Sequence, residues 1–201
     1  MSAEPVVYVI DDDPSVLKSM ERLLRSAGLE VQTFQSALDF LSCSVADQPA
    51  CLVCDVRMPG ISGLELQEKL VLQHRRLPVI FITGFGNVPA SVKAMKAGAV
   101  DFLEKPFDDQ TLLDAVHLAI HSDMLHRQES SYLDSLKRLS DQLTKREREV
   151  FNLVVTGMLN KQIACQLGIT EKTVKVHRAR IMQKMKVQSL ADLVRLSEKL
   201  K

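Results

Sequence analysis

The feature that most constrains this chain is an alternation, repeated five times over roughly the first 120 residues, between a short apolar run and an amphipathic stretch. The first run, VVYVI over Val6 to Ile10, has no polar residue interleaved, as expected of a strand covered on both faces. The stretch after it, DDDPSVLKSMERLLRSAG, puts Val16, Leu17, Met20, Leu23 and Leu24 at helical spacing, with Gly28 placed to end the helix. Further strands are predicted over Glu30–Phe34, Cys51–Asp55, Pro78–Thr83 and Asp101–Lys105. Helices are predicted near Ser36 to Leu41 and over Gly63–Leu72, Pro89–Ala97 and Asp109–His121. Strands alternating with helices of this length predict a doubly wound α/β domain, a five-stranded parallel sheet with helices on both faces.

The pattern then changes. From His121 to Leu143 there is no strand signal, no Pro and no Gly, while Leu125, Leu133, Leu136 and Leu139 are separated by charges. This stretch is predicted to be largely helical and to continue the fifth helix. Beyond it, Thr144 and Glu147 form a capping box that opens an amphipathic helix with Val150, Phe151 and Val154 on one face. Asn160 is placed to cap a short helix ending at Gly168, Thr170 to cap a longer one, and Ser189 with Asp192 to start the last. Four helices with a glycine-bearing break before the third predict an all-α helix-turn-helix module. The expected divisions are 1–122, a linker over 123–142, and 143–201, with a recognition helix at about 171–185.

Charge divides the same way. Residues 137 to 201 carry 15 Lys+Arg against 6 Asp+Glu, a net +9, leaving 11 basic and 19 acidic residues, a net −8, in 1 to 136. A basic end on an acidic body suggests a polyanionic partner for the C-terminal part. No apolar run approaches membrane-spanning length, and the N-terminus lacks the basic start and cleavage site of a signal peptide, so a cytoplasmic protein without a membrane partner is expected. Cys51 and Cys54 make a C-x-x-C, but within a strand that spacing sends the two thiols to opposite faces, where they cannot grip one metal.

Ligands of doubly wound sheets collect at the carboxyl ends of the strands. Asp11 and Asp12 end the first strand, Asp55 the third, Thr83 the fourth and Lys105 the fifth. Carboxylates packed together repel one another unless a cation sits among them, and a hard divalent ion with oxygen ligands, Mg²⁺ by default, resolves the conflict. Asp55 can then act as an ionised nucleophile towards phosphorus. Lys105 neutralises charge on the transferring phosphoryl oxygens, and the Thr83 hydroxyl donates to one of them. Asp13, third in its run, is read as facing solvent or starting the first helix.

The set V-I-Asp11-Asp12, Asp55-x-x-Met58-Pro59-x-x-x-Gly63, Thr83-Gly84 and Lys105-Pro106-Phe107 resembles the receiver domain of two-component response regulators, over roughly residues 5 to 122. The resemblance implies a flavodoxin-like fold and phosphorylation of Asp55 by a sensor histidine kinase. It implies that Asp12, Asp55 and the backbone carbonyl of Arg57 bind Mg²⁺ directly, Asp11 through water, and that Lys105–Pro106 is a cis peptide. It also implies that the receiver catalyses its own phosphorylation and dephosphorylation only, without other enzymatic activity. Thr83 and Phe102 fall where that family couples phosphate contact to burial of an aromatic ring, with Phe102 as a plain core aromatic the competing reading.

The segment from Thr144 to about Ser197 resembles the LuxR/NarL/FixJ-type DNA-binding domain through L-T-x-R-E-x-E-V, N-K-Q-I-A, L-x-I-T-x-x-T-V-K-x-H and M-x-K-M. In the longer helix Val174, Ile181 and Met185 share one face. Lys172, Lys175, Val176 and Arg180 share the other, where cations can reach phosphates or guanine edges and Val176 a thymine methyl. Lys161 and Thr173, near helix starts, suit phosphate contacts. His177 is read as packed or phosphate-facing, and Lys184 and Lys186 as solvated charges.

Together these imply a transcription regulator of the FixJ/NarL type that is switched at Asp55, acts on double-stranded DNA, and dimerises through the phosphorylated receiver on paired half-sites. RNA polymerase is a further candidate partner. Thr83-Gly84-x-Gly86-x-Val88-Pro89 and Lys96-Ala97-Gly98-Ala99-x-Asp101-Phe102 are closer to FixJ than to NarL, and a regulator of a catabolic pathway fits the pattern. Two other classes compete. An aspartate-nucleophile phosphatase needs a second acid two residues after the nucleophile, where Arg57 stands. An RNA-binding antiterminator would not need the Gly168-Ile169-Thr170 turn.

Overall fold

A computed structural model describes residues 4–45, 47–84 and 88–200. Gly86 of the FixJ-like motif therefore lies outside the described residues. The chain divides into two compact units, Met1–Arg127 and Gln128–Lys201.

In the first unit, β1 (Val6–Ile10), β2 (Glu30–Phe34), β3 (Ala50–Asp55), β4 (Val79–Thr83) and β5 (Asp101–Glu104) form one parallel sheet in the order β2-β1-β3-β4-β5. Between them run α1 (Pro14–Ser26), α2 (Ala37–Ser42), α3 (Gly63–Leu72) and α4 (Val88–Lys96). β1, β3 and β4 are buried along their whole length, which explains why their sequences show no alternation. The two faces carry separate cores. Tyr8, Leu52, Cys54 and Phe81 pack with Phe40, Leu66 and Ala94 on the α2–α4 side. Val7, Val9, Cys51, Val53 and Ile80 pack with Leu17, Leu24, Leu112 and Val116 on the other. Cys51 and Cys54 thus face opposite ways, and burial pushes both thiols well above their ordinary range, the behaviour of small hydrophobes.

α5 (Asp109–Asp141) is a single 33-residue helix. Early in it, Leu112, Val116 and Ile120 are buried in the sheet's core. Near the boundary of the first unit, buried Asp123 accepts from the Ala50 N–H at the start of β3, 3.0 Å away. Further on, Leu136 is buried in the second unit. Among the described residues no helix is long and apolar enough to cross a membrane.

The second unit contains α6 (Lys145–Val155), α7 (Asn160–Leu167), α8 (Glu171–Lys184) and α9 (Leu190–Lys199), around a core of Val150, Phe151, Ile163, Val174, Ile181, Met185 and Leu193. Side-chain caps start α6 at Thr144, α8 at Thr170 and α9 at Ser189. Asn160 does not cap α7 as expected. It is the helix's first residue, and the Gln162 amide oxygen instead accepts the Leu159 N–H at 2.8 Å. The Asn160 side chain is drawn away because its Oδ1 accepts from Arg178 of α8, also at 2.8 Å.

Candidate phosphoacceptor site and nucleic-acid interface

The turn after β1 is built by its acids. Asp13 caps α1, accepting from the Ser15 N–H at 2.8 Å and from the Ser15 hydroxyl, so it takes the helix-starting role and leaves the pocket. Asp11 is 2% exposed, and its Oδ1 accepts the Asp13 N–H at 2.9 Å. Asp12 is exposed. On the neighbouring strand Asp55 is buried, and its Oδ2 accepts the Arg57 N–H at 2.6 Å. Thr83, at the end of β4, is buried too.

Lys105 follows β5 rather than ending it, since the strand stops at Glu104. Its Nζ donates to Asp11 Oδ2 at 2.9 Å and to Asp55 Oδ1 at 3.2 Å. The Lys105–Pro106 peptide is cis. The expectation that all three acids pack together is therefore corrected. Two of them share one ammonium, Asp12 stays in solvent, and among the described residues no three potential ligands are already gathered as a metal cluster. The donor chemistry still fits a hard cation. Every potential ligand is an oxygen, and three carboxylates against one ammonium leave two negative charges for a divalent ion to balance.

Burial pushes the Asp55 carboxyl above its ordinary range, and nearby Asp11 adds to this. The Arg57 N–H and Lys105 offset it only in part. Burial alone would lower Lys105, but its contacts with Asp11 and Asp55 overcome that and raise it. The ammonium is thus firmly held in its charged form beside a carboxylate that is costly to ionise.

Gly63 explains part of this geometry. A Cβ there would collide with the Asp55 carbonyl oxygen and lie 3.0 Å from Phe81 Cε1 and 3.1 Å from Cys54 Sγ. The start of α3 can approach the end of β3 only because residue 63 has no side chain. Phe102 is half-buried, with its ring 6.3 Å from that of Phe81 and tilted by 51°.

In the second unit Gly168 ends α7 in a left-handed conformation (φ +65°), which sets the turn into α8. Val174 and Ile181 anchor the inner face of α8. Lys172, Lys175, Val176 and Arg180 are exposed on the opposite face, and Lys161 is exposed near the start of α7. Thr173 is half-buried, its hydroxyl 2.8 Å from that of Thr170. His177 has Nδ1 buried without a hydrogen-bond partner among the described residues.

Lys184 is not a solvated charge. It donates to buried Glu147 at 2.6 Å and to the Gln142 carbonyl at 3.1 Å. That contact holds the Glu147 carboxyl down at about 2, with the Thr144 N–H assisting. Glu147 and Lys184 lie 37 positions apart, and only the packing of α6 on α8 brings them together.

Comparison with known proteins agrees with both halves. The model for the response regulator receiver domain matches residues 7–117, and that for bacterial regulatory proteins of the luxR family matches 141–197. Nodulation protein W of Bradyrhizobium diazoefficiens is 49% identical over 199 residues, 99% of this chain and 88% of that protein. Transcriptional regulatory protein FixJ of Azorhizobium caulinodans is 48% identical, over 95% of this chain and 90% of that protein. Among solved structures, that of the response regulator StyR is 51% identical and has a TM-score of 0.88, covering 98% of this chain and all of that one.

Proposed function

Because the chain belongs to the two-component response regulators that join a receiver to a LuxR-type DNA-binding domain, we propose that Asp55 accepts a phosphoryl group from a sensor histidine kinase and that this event governs DNA binding through α8. The single observation that carries the first half is the ammonium of Lys105 shared between Asp11 and Asp55 at the carboxyl edge of the sheet.

Asp55 is the nucleophile. A carboxylate oxygen forms a bond to phosphorus as the bond to the donor's histidine nitrogen breaks, leaving the imidazole with the electron pair. The Arg57 N–H on Oδ2 orients the carboxylate. Lys105, held charged by Asp11, turns towards the arriving oxygens, and the buried Thr83 hydroxyl donates to one of them. Receiver domains generally bind Mg²⁺. Here Asp11, Asp12, Asp55 and the carbonyl of Arg57 would hold it, where it would neutralise phosphoryl charge and relieve the cost of ionising Asp55.

Movement of Thr83 towards the phosphate opens space for half-buried Phe102 to turn inward, which reshapes the surface of α4 and β5. That surface already exposes Val92 and Met95, and these apolar residues suit pairing of two copies. A dimer then sets two α8 helices on paired half-sites of double-stranded DNA. Lys172, Lys175, Val176 and Arg180 face the groove, while Lys161 and Thr173 meet phosphates. Recruitment of RNA polymerase would follow from that placement.

A small phosphodonor with Mg²⁺ should add one phosphate to the chain, and Asp55→Asn should abolish the addition. Equal labelling of that variant would sink the site. In competition, duplex DNA should displace RNA, and Lys175→Ala should weaken binding to the preferred duplex. Tighter binding to RNA would overturn the DNA reading in favour of antitermination.

A further inference from the structure

The first unit is acidic overall, yet one of its recesses is lined by three arginines. Residues Cys43, Ser44, Val45, Asp47, Leu70, Arg75, Arg76, Leu77 and Arg127 border a cavity of about 480 Å³. Leu77 and Asp47 place it towards the amino ends of β4 and β3. Asp55 ends β3 five residues beyond Ala50, or roughly 16 Å away along the strand.

Two of the arginines are held in place from behind, and Arg76 is exposed. The Arg75 guanidinium lies 5.7 Å from the Phe40 ring centroid and donates to the Cys43 carbonyl at 3.2 Å. Arg127 donates through Nε to buried Asp123 at 2.7 Å, and Asp123 is itself fixed by the Ala50 N–H. The other contact of Arg127 is of a different kind. Its Nη1 meets Asp47 at 2.8 Å, and that carboxylate is fully exposed. An exposed ion pair contributes little and is readily exchanged. Among the described lining residues Asp47 is the one acid, so three guanidinium groups border the recess against two carboxylates, buried Asp123 behind Arg127 and the loosely held Asp47.

We propose that this recess is a binding site for a small phosphorylated molecule, whose phosphate takes the place of Asp47 on Arg127 and pairs with Arg76 and Arg75. Guanidinium groups present N–H donors in a planar fork that matches phosphate oxygens, and they stay charged throughout. The volume lies within the range of small-molecule sites. Leu70, Leu77 and Val45 form an apolar wall for the rest of the ligand. The site needs nothing from Asp55, so its failure would leave the phosphoacceptor reading untouched.

Inorganic pyrophosphate, titrated without Mg²⁺ into the full chain and followed by backbone amide NMR and calorimetry, is the probe. Amide shifts should concentrate at residues 43–47 and 73–77. Arg76→Ala should weaken binding about tenfold or more, the effect of removing one charged hydrogen-bonding partner. Asp47→Asn should tighten it, and Lys18→Ala on the exposed side of α1 should leave it unchanged. All three substitutions alter exposed side chains, so folding is preserved and is checked in the same spectra. Shifts confined to the second unit, an Arg76→Ala affinity equal to the parent's, or weaker binding by Asp47→Asn would each overturn the proposal.

Discussion

Replacing Glu147 by glutamine tests whether a buried ion pair holds the DNA-binding unit together. The carboxyl is 3% exposed, accepts from Lys184 at 2.6 Å and from the Thr144 N–H at 2.8 Å, and is held at about 2 against an ordinary 4.5. That difference corresponds to roughly 3 kcal/mol at neutral pH. Because the Lys184 side chain is 32% exposed, solvent screening reduces this to about 2 kcal/mol. Glutamine keeps the shape and an oxygen for the Thr144 cap, and loses the charge. A carboxyl depressed on folding stabilises fully above pH 4.5, and the contribution is lost as pH falls towards about 2. Hydrogen exchange of the Val150 and Val154 amides in the full chain should therefore show about thirtyfold less protection in Glu147→Gln at pH 7. The gap should narrow below pH 4.5. Equal protection at pH 7, or a gap that stays constant down to pH 3, would refute the ion-pair argument.

Three further outcomes follow from the same geometry. Gly63→Ala should destabilise the first unit by about 1–3 kcal/mol, read by chemical denaturation, because its Cβ has no room against the Asp55 carbonyl and Phe81. It should also slow phosphorylation by shifting the end of β3. Asp55→Asn should make the first unit more stable at pH 7 without Mg²⁺. The folded state raises this carboxyl, so ionising it opposes folding, and the advantage over the parent should shrink once the pH drops below the raised value and be gone at the ordinary carboxylate value in a thermal-unfolding series. Arg180→Ala should weaken DNA binding and reduce the slope of log affinity against log salt by about one, if the exposed guanidinium meets a phosphate.

Much of the fold could be read from the sequence because its signals are local. Strands buried on both faces leave unbroken apolar runs such as VVYVI, and Thr144, Thr170 and Ser189 announce the helices they cap. The acids at the strand ends were legible for the same reason, since strand ends and ligand rims coincide in doubly wound sheets. What was not legible depends on pairs distant in the chain. Lys184 reaches Glu147 across 37 positions, Asp123 reaches the Ala50 N–H across 73, and Arg178 draws Asn160 from its expected capping role. No period or motif encodes such pairs, because they are set by how helices pack. The ammonium shared between Asp11 and Asp55 was half legible: the residues stood out, while its place between two acids rather than among three did not.

The most direct test of the account is to measure DNA affinity and oligomeric state on one preparation, with and without phosphate on Asp55. Sedimentation in the presence of a duplex carrying paired half-sites reads both. The phosphorylated chain should become dimeric and bind at about tenfold or more lower concentration, while Asp55→Asn treated alike should do neither. If the phosphorylated and unphosphorylated chains sediment and bind identically, Asp55 does not control α8 and the central claim fails.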